Sequence, residues 1–327
     1  MRNKRTELTI NHLERNDGVP FDASWFENSQ INRSAIERRT SSLGGRRTVK
    51  KEYQAAWLLK AISCIDLTTL AGDDTRGNVI RLCAKAQSPV RHDLLEAMDM
   101  TDEPIQVGAV CVYHNLISFA KEALEGSNIP IAAVSTGFPA GKISLEDKIT
   151  EIKKSVAAGA TEIDIVISRD LVIESKWQEL YDEVALCRKA CGEAHMKTIL
   201  ATGEISTLTK VAKASMVSMM AGSDFIKTST GKESVNATLP VSLVMIRMIR
   251  DYYERTGLKV GYKPAGGIQK AKQALDWLIL MKEELGNDWL NPELFRFGAS
   301  SLLGDIERQL EHFVTGAYSA GYRHPMA

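Results

Sequence analysis

From Ala55 to about residue 316 the chain alternates short, β-branched apolar runs with longer stretches in which apolar residues recur every three or four positions among good helix formers. Eight runs can be counted: AISCIDLTTL (61–70), VGAVCVY (107–113), IPIAAVST (129–136), EIDIVIS (162–168), MKTILATG (196–203), DFIKTS (224–229), LKVGYKPAGG (258–267) and LFRFGASS (294–301). A helical stretch follows each, among them LEDKITEIKKSVAAGA, TLTKVAKASMVSMMAG, LPVSLVMIRMIRDYYERTG and AKQALDWLILMKEELG, and Gly222 and Gly257 end two of these where a helix favours a left-handed cap. Strands without polar alternation are buried on both faces, and crossover helices make the sheet parallel. Eight such βα units predict a closed (β/α)8 TIM barrel. The competing open, doubly wound sheet lacks support: no GxGxxG follows the first run, and polar residues break the runs at their ends throughout the chain.

Residues 1–52 differ in texture. They are polar, with scattered hydrophobes such as Leu13, Trp25, Phe26 and Ile36, and form no βα unit. They read as a partly ordered extension before a barrel domain (53–316) and a short tail (317–327). The extension carries 11 Lys/Arg against 7 Asp/Glu, centred on Arg38, Arg39, Arg46, Arg47, Lys50 and Lys51, which leaves only a weak case for nucleic-acid binding. Over the whole chain 41 basic residues balance 41 acidic ones, so no net field steers it toward polyanions. Five cysteines without a CxxC pair lie mostly in apolar runs, as buried thiols do in a reducing compartment, which points to the cytoplasm. No signal-peptide core and no apolar run of about 18 residues predicts a membrane segment.

In a barrel of this kind, chemistry sits at the C-terminal ends of the strands. Three lysines lie there, in or beside apolar runs: Lys197, Lys227 and Lys263. Desolvating an ammonium is costly, so each needs a reason. One reason is a head group that snorkels to the rim or pairs with Asp66 or Asp164. The other is nucleophilic amine chemistry, in which a neutral lysine attacks a carbonyl and the resulting iminium accepts electrons from a breaking C–C bond. Only about one ordinary lysine in 2,500 is neutral at pH 7, so burial or a second cation must lower its pKa. Lys227 and Lys263, on the sixth and seventh runs, can repel each other in that way.

A phosphate in such barrels often rests on the loops after the last two strands. Gly266 and Gly267 follow the seventh run, and Ser300 and Ser301 open the last helix, although a plain turn and a plain N-cap would use the same residues. STGK (229–232) is not a P-loop, because Ile226 replaces the first glycine and Glu233 the final Ser/Thr. The histidines show no metal-binding spacing, and Cys187 and Cys191 read as helix core contacts.

IDLTTL, EIDIVI, KTILATGE, DFIKTSTGK, NAT, GYKPAGGI and FGASSLL occur in an order that resembles the deoxyribose-phosphate aldolases over about residues 55–316. The resemblance implies a class I aldolase that cleaves 2-deoxy-D-ribose 5-phosphate to D-glyceraldehyde 3-phosphate and acetaldehyde, in deoxynucleoside breakdown, with neither a metal nor an organic cofactor. It implies Lys227 as the Schiff-base lysine, Lys263 as the cation that lowers its pKa, and Asp164 as acid/base partner through a water. It also implies Lys197 as organiser of Asp164 and substrate contact. Asp66, Thr68 and Cys111 would line the pocket and Thr230 would bind substrate, with Gly231, Lys232, Gly266, Gly267, Ser300 and Ser301 on the phosphate side. Two features depart from the bacterial pattern: Ala201 stands where relatives carry Glu, and the tail offers Tyr318 and Tyr322 where the family can end in a tyrosine that reaches the phosphate. The long extension is more like eukaryotic forms, and a homodimer is common in the family.

Overall fold

The structure, a computed structural model, describes residues 15–46 and 48–324; Leu13 and Arg47 lie outside them. Eight parallel strands form one sheet: β1 (Ile65–Thr68), β2 (Ala109–Tyr113), β3 (Ile131–Ser135), β4 (Glu162–Val166), β5 (His195–Ile199), β6 (Phe225–Lys227), β7 (Gly261–Lys263) and β8 (Phe297–Ala299). Each pairs with the next, β8 pairs with β1, and the bridges Tyr262 to Phe295 and Ala265 to Gly298 join β7 to the β8 segment. The barrel closes, as the apolar runs predict. Nearly every strand residue is buried on both faces, between the barrel interior and the surrounding helices.

Inside the barrel, size is matched across strands. A Cβ on Gly261 would lie 2.4 Å from the Phe225 ring, so the missing side chain on β7 makes room for that ring on β6. Helix ends follow their expected signals: Thr238 caps the helix Leu239–Thr256 through Val241 N–H, and Gly257 ends it at φ +74°.

Two expected boundaries move. The first run begins inside the helix Lys51–Ser63, and only Ile65–Thr68 is strand. That helix also carries the edge of the extension into the barrel, packing against the helices Ala271–Leu285 and Ser301–Thr315. The described part of the extension is firmly docked. Asn16 is buried, donates to the Met219 and Ser223 carbonyls and accepts from Tyr252 Oη–H, while Arg39 pairs with Glu283 and Glu284. Part of the basic cluster is thereby spent on the barrel's own helices. No helix among the described residues is long and apolar enough to cross a membrane.

Candidate active site

Parallel register brings the charged strand residues together. Asp164 on β4 lies beside Lys197 on β5, and Lys227 on β6 beside Lys263 on β7. Their side chains point into the barrel and meet. Lys227 Nζ donates to Asp164 Oδ2 at 2.7 Å, and Lys263 Nζ donates to the same oxygen at 2.8 Å and also to Asp66. Lys197 donates to Asp164 Oδ1 at 3.2 Å and to Glu162. Arg296, just before β8, closes the network by donating to Asp66 at 2.6 Å and Glu162 at 2.8 Å.

Sequence reasoning missed Glu162 and Arg296. A signal was present for both: Glu162 precedes Asp164 by two residues and so shares its face of β4, and Arg296 sits between two buried phenylalanines.

Burial and the number of carboxylates around each cation together decide which group gives up a proton most readily. Lys197, Lys227, Lys263 and Arg296 face Asp66, Glu162 and Asp164, one cation in surplus. Lys227 touches one carboxylate, while the other three cations touch two or more. Burial lowers the Lys227 pKa below its ordinary value; Asp164 opposes the shift and Lys263 adds to it. Burial penalises Lys263 and Lys197 too, yet their carboxylates win and both pKa values are raised. For Asp164 burial acts upward, but Lys197, Lys227 and Lys263 outweigh it and hold the carboxyl well below the usual range. The arrangement therefore supports one neutral amine beside a fixed carboxylate.

Lys227 also faces open space. It lines a cavity of about 210 Å³ with Thr68, Thr230, Gly231, Lys232 and the segments Ala265–Gln269 and Gly298–Ser301. The expected nucleophile and the whole expected phosphate side thus share one cavity. Ser300 stands at the N-cap position of the helix Ser301–Thr315 but makes no side-chain cap, so the plain N-cap reading does not describe it. Gly266 has φ +77°, and a Cβ there would lie 2.6 Å from Asn236 Cγ; the asparagine of NAT packs the β6 loop against the β7 loop at this point. Ala237 N–H donates to Ala265 O at 3.2 Å and completes that junction.

Other expected residues lie elsewhere. Asp66, Asp164, Lys263 and Lys197 are fully buried and do not line the cavity; Lys197 donates to Glu162 and Asp164 instead. Cys111 is buried with Ala132 and Val134, next to Leu70 and Phe138, and burial raises its thiol pKa. Ala201 is buried at φ 54°. Tyr318 stacks on His312, Tyr322 is exposed, and neither lines the cavity. Among the described residues no group of His, Cys, Asp and Glu is placed to hold a metal ion.

Comparison with known proteins shows the family of the chain. The profile of the DeoC/LacD family aldolase matches residues 60–303. A human protein named deoxyribose-phosphate aldolase is 59% identical over 314 residues, covering 95% of this chain and 99% of its own length, and the mouse protein of the same name is 60% identical over 312 residues, covering 95% and 98%. Among solved structures, a Toxoplasma gondii protein superposes with a TM-score of 0.69 at 19% identity over 82% of this chain and 98% of its own. The tetrameric deoxyribose phosphate aldolase of Aeropyrum pernix gives 0.58 at 21% identity over 86% and 99%. These two likenesses speak for the fold. With a family match over most of the barrel and relatives near 60% identity along almost the whole chain, this protein belongs to the DeoC/LacD family of aldolases.

Proposed function

We propose that the protein cleaves 2-deoxy-D-ribose 5-phosphate reversibly to D-glyceraldehyde 3-phosphate and acetaldehyde, through a Schiff base on Lys227. The observation that carries this reading is a buried, pKa-lowered lysine that opens onto a cavity whose far wall is rich in glycine, serine and backbone N–H groups. High identity to relatives named for this activity supports the substrate.

In this mechanism Lys227 attacks the C1 aldehyde of the open sugar, and loss of water gives a cationic iminium. Asp164, acting through a water, takes the C3 hydroxyl proton while the C2–C3 bond breaks. The bonding electrons flow into the iminium and leave a neutral enamine, as the aldehyde of glyceraldehyde 3-phosphate forms at C3. Iminium charge and carboxylate charge vanish in the same step, so the net charge of the buried cluster does not change while the bond breaks. In a buried charge cluster, that constancy avoids a large electrostatic cost. Protonation and hydrolysis of the enamine then release acetaldehyde and restore Lys227. Lys263, held charged by Asp66 and Asp164, keeps Lys227 the most readily deprotonated member. Lys232, Gly267, Ser300 and Ser301 orient the phosphate, which matters most for a small flexible substrate. The five free, buried thiols support a cytoplasmic location.

The test is to mix the protein with deoxyribose 5-phosphate, reduce with borohydride and map the adduct by peptide mass spectrometry. An adduct on Lys227, lost in a folded Lys227→Leu variant, is expected. An adduct on another residue overturns the assignment, and none overturns the Schiff-base reading.

A further inference from the structure

Glu233 on the β6 loop stands outside the residues that line the cavity, yet it engages two donors that do line it. Glu233 Oε1 accepts from Thr230 N–H at 3.0 Å, and Oε2 accepts from Gly231 N–H at 3.1 Å and from the Thr230 hydroxyl at 2.8 Å. Thr230 and Gly231 both line the cavity that Lys227 opens onto. Successive backbone N–H groups around a residue at φ +87°, here Gly231, form a concave anion cradle. In this chain a carboxylate of the chain itself lies in that cradle.

The other donors on this wall carry no such carboxylate. Ser300 makes no cap, a Cβ on Gly267 would meet nothing within 4 Å, and Lys232 borders the same cavity. A phosphate seated there meets the helix N-terminus, the β7 loop and an ammonium, but finds the β6 donors engaged by Glu233. Two anions cannot share those N–H groups without strong repulsion.

We propose that Glu233 is a specificity-determining residue that competes with the substrate's phosphate for the Thr230 and Gly231 donors, and so sets the phosphate affinity of the site. The inference rests on the reading of this cavity as the phosphate side. Its consequence is kinetic as well: substrate and glyceraldehyde 3-phosphate both carry the phosphate, so a built-in competitor loosens the product and favours its release. Two further bonds hold the loop without this carboxylate. Asn236 Nδ2 donates to the Glu233 carbonyl at 2.9 Å, and Lys232 N–H donates to Thr230 Oγ1 at 3.1 Å.

Inorganic phosphate is the probe, measured by calorimetry and as a competitor of deoxyribose 5-phosphate, in the full-length protein and in Glu233→Ala and Glu233→Gln. Freeing the charged bonds predicts phosphate binding roughly tenfold tighter in Glu233→Ala, with a smaller gain in Glu233→Gln, which keeps an acceptor but no charge. The gain should follow the phosphate: the ratio of kcat/KM for deoxyribose 5-phosphate to that for unphosphorylated 2-deoxyribose should rise by a similar factor. A weaker Glu233→Ala with a tighter Glu233→Gln assigns the loss to a disordered loop and upholds the competition. Unchanged or weaker phosphate binding in both variants overturns it. Failure of phosphate to bind any of the three proteins, with Lys227 still trapped by borohydride, shows that the phosphate-side reading is wrong and removes the basis of the competition.

Discussion

Removal of Lys263 tests the cause of the lowered Lys227 pKa. Both ammonium groups donate to Asp164 Oδ2, at 2.7 and 2.8 Å, so their nitrogens are at most about 5.5 Å apart. At that separation and an effective dielectric near 20, two unit charges repel by about 3 kcal/mol, or roughly two pH units of pKa. Lys263→Leu removes this repulsion and leaves three cations against three carboxylates, so nothing then forces Lys227 to be the neutral member. The added apolar side chain deepens burial and acts in the opposite direction, so the net movement is smaller than the repulsion alone would give. The assay is the pH dependence of imine formation between Lys227 and acetaldehyde, trapped with borohydride, which is independent of the proton transfers in sugar cleavage. The midpoint should move to higher pH by about one to two units, and circular dichroism should show the fold retained. Because burial is the larger cause of the shift, the midpoint should still fall below that of an ordinary lysine. An unmoved midpoint, or one displaced to lower pH, would refute the repulsion argument and leave burial alone as the cause.

Glu162→Gln removes the carboxylate that accepts from both Arg296 and Lys197 and leaves four cations against two anions in the barrel interior; breaking a buried pair in this way should cost about 3–5 kcal/mol, read as a lower denaturant midpoint. A wild-type midpoint would mean that the cluster is not balanced as drawn. Gly266→Ala puts a Cβ 2.6 Å from Asn236 Cγ at φ +77° and should spread the junction of the β6 and β7 loops. KM for the phosphorylated substrate should rise roughly tenfold, a loss of about 1.4 kcal/mol, and an unchanged KM would place the phosphate elsewhere.

Much of the fold was legible because buried parallel strands leave a simple signature: short β-branched runs with their polar residues at one end. The first run shows where the signature fails. Ala61 and Ile62 are fully buried on a helix, and a buried helix end reads like a buried strand when only hydrophobicity is available. The extension was illegible for a related reason. Its anchors are single residues, such as Asn16 beneath Tyr252, that satisfy particular backbone groups far away in sequence, and no periodicity marks such contacts. Glu233 entered the sequence argument only as a mismatch to a P-loop. Its carboxylate acquires meaning from the curl of the β6 loop, which places it over N–H groups two and three residues earlier.

The missed pair Glu162 and Arg296 bears differently on the chemistry. Three lysines and two aspartates, all marked by their positions in apolar runs, already leave one cation unbalanced, and the pair adds one charge of each sign. The cation surplus around Lys227 was therefore present in the sequence, whereas the group that yields its proton was named there only by the resemblance carried by DFIKTSTGK. Arg296 has a pKa too high to yield a proton. Lys197 is enclosed by Glu162, Asp164 and, at 3.7 Å, Asp66, and Lys263 by Asp66 and Asp164. Lys227 has a single carboxylate and a cavity in front of it. A buried cluster sheds the proton that costs least to lose, and strand register makes that proton the one facing the cavity.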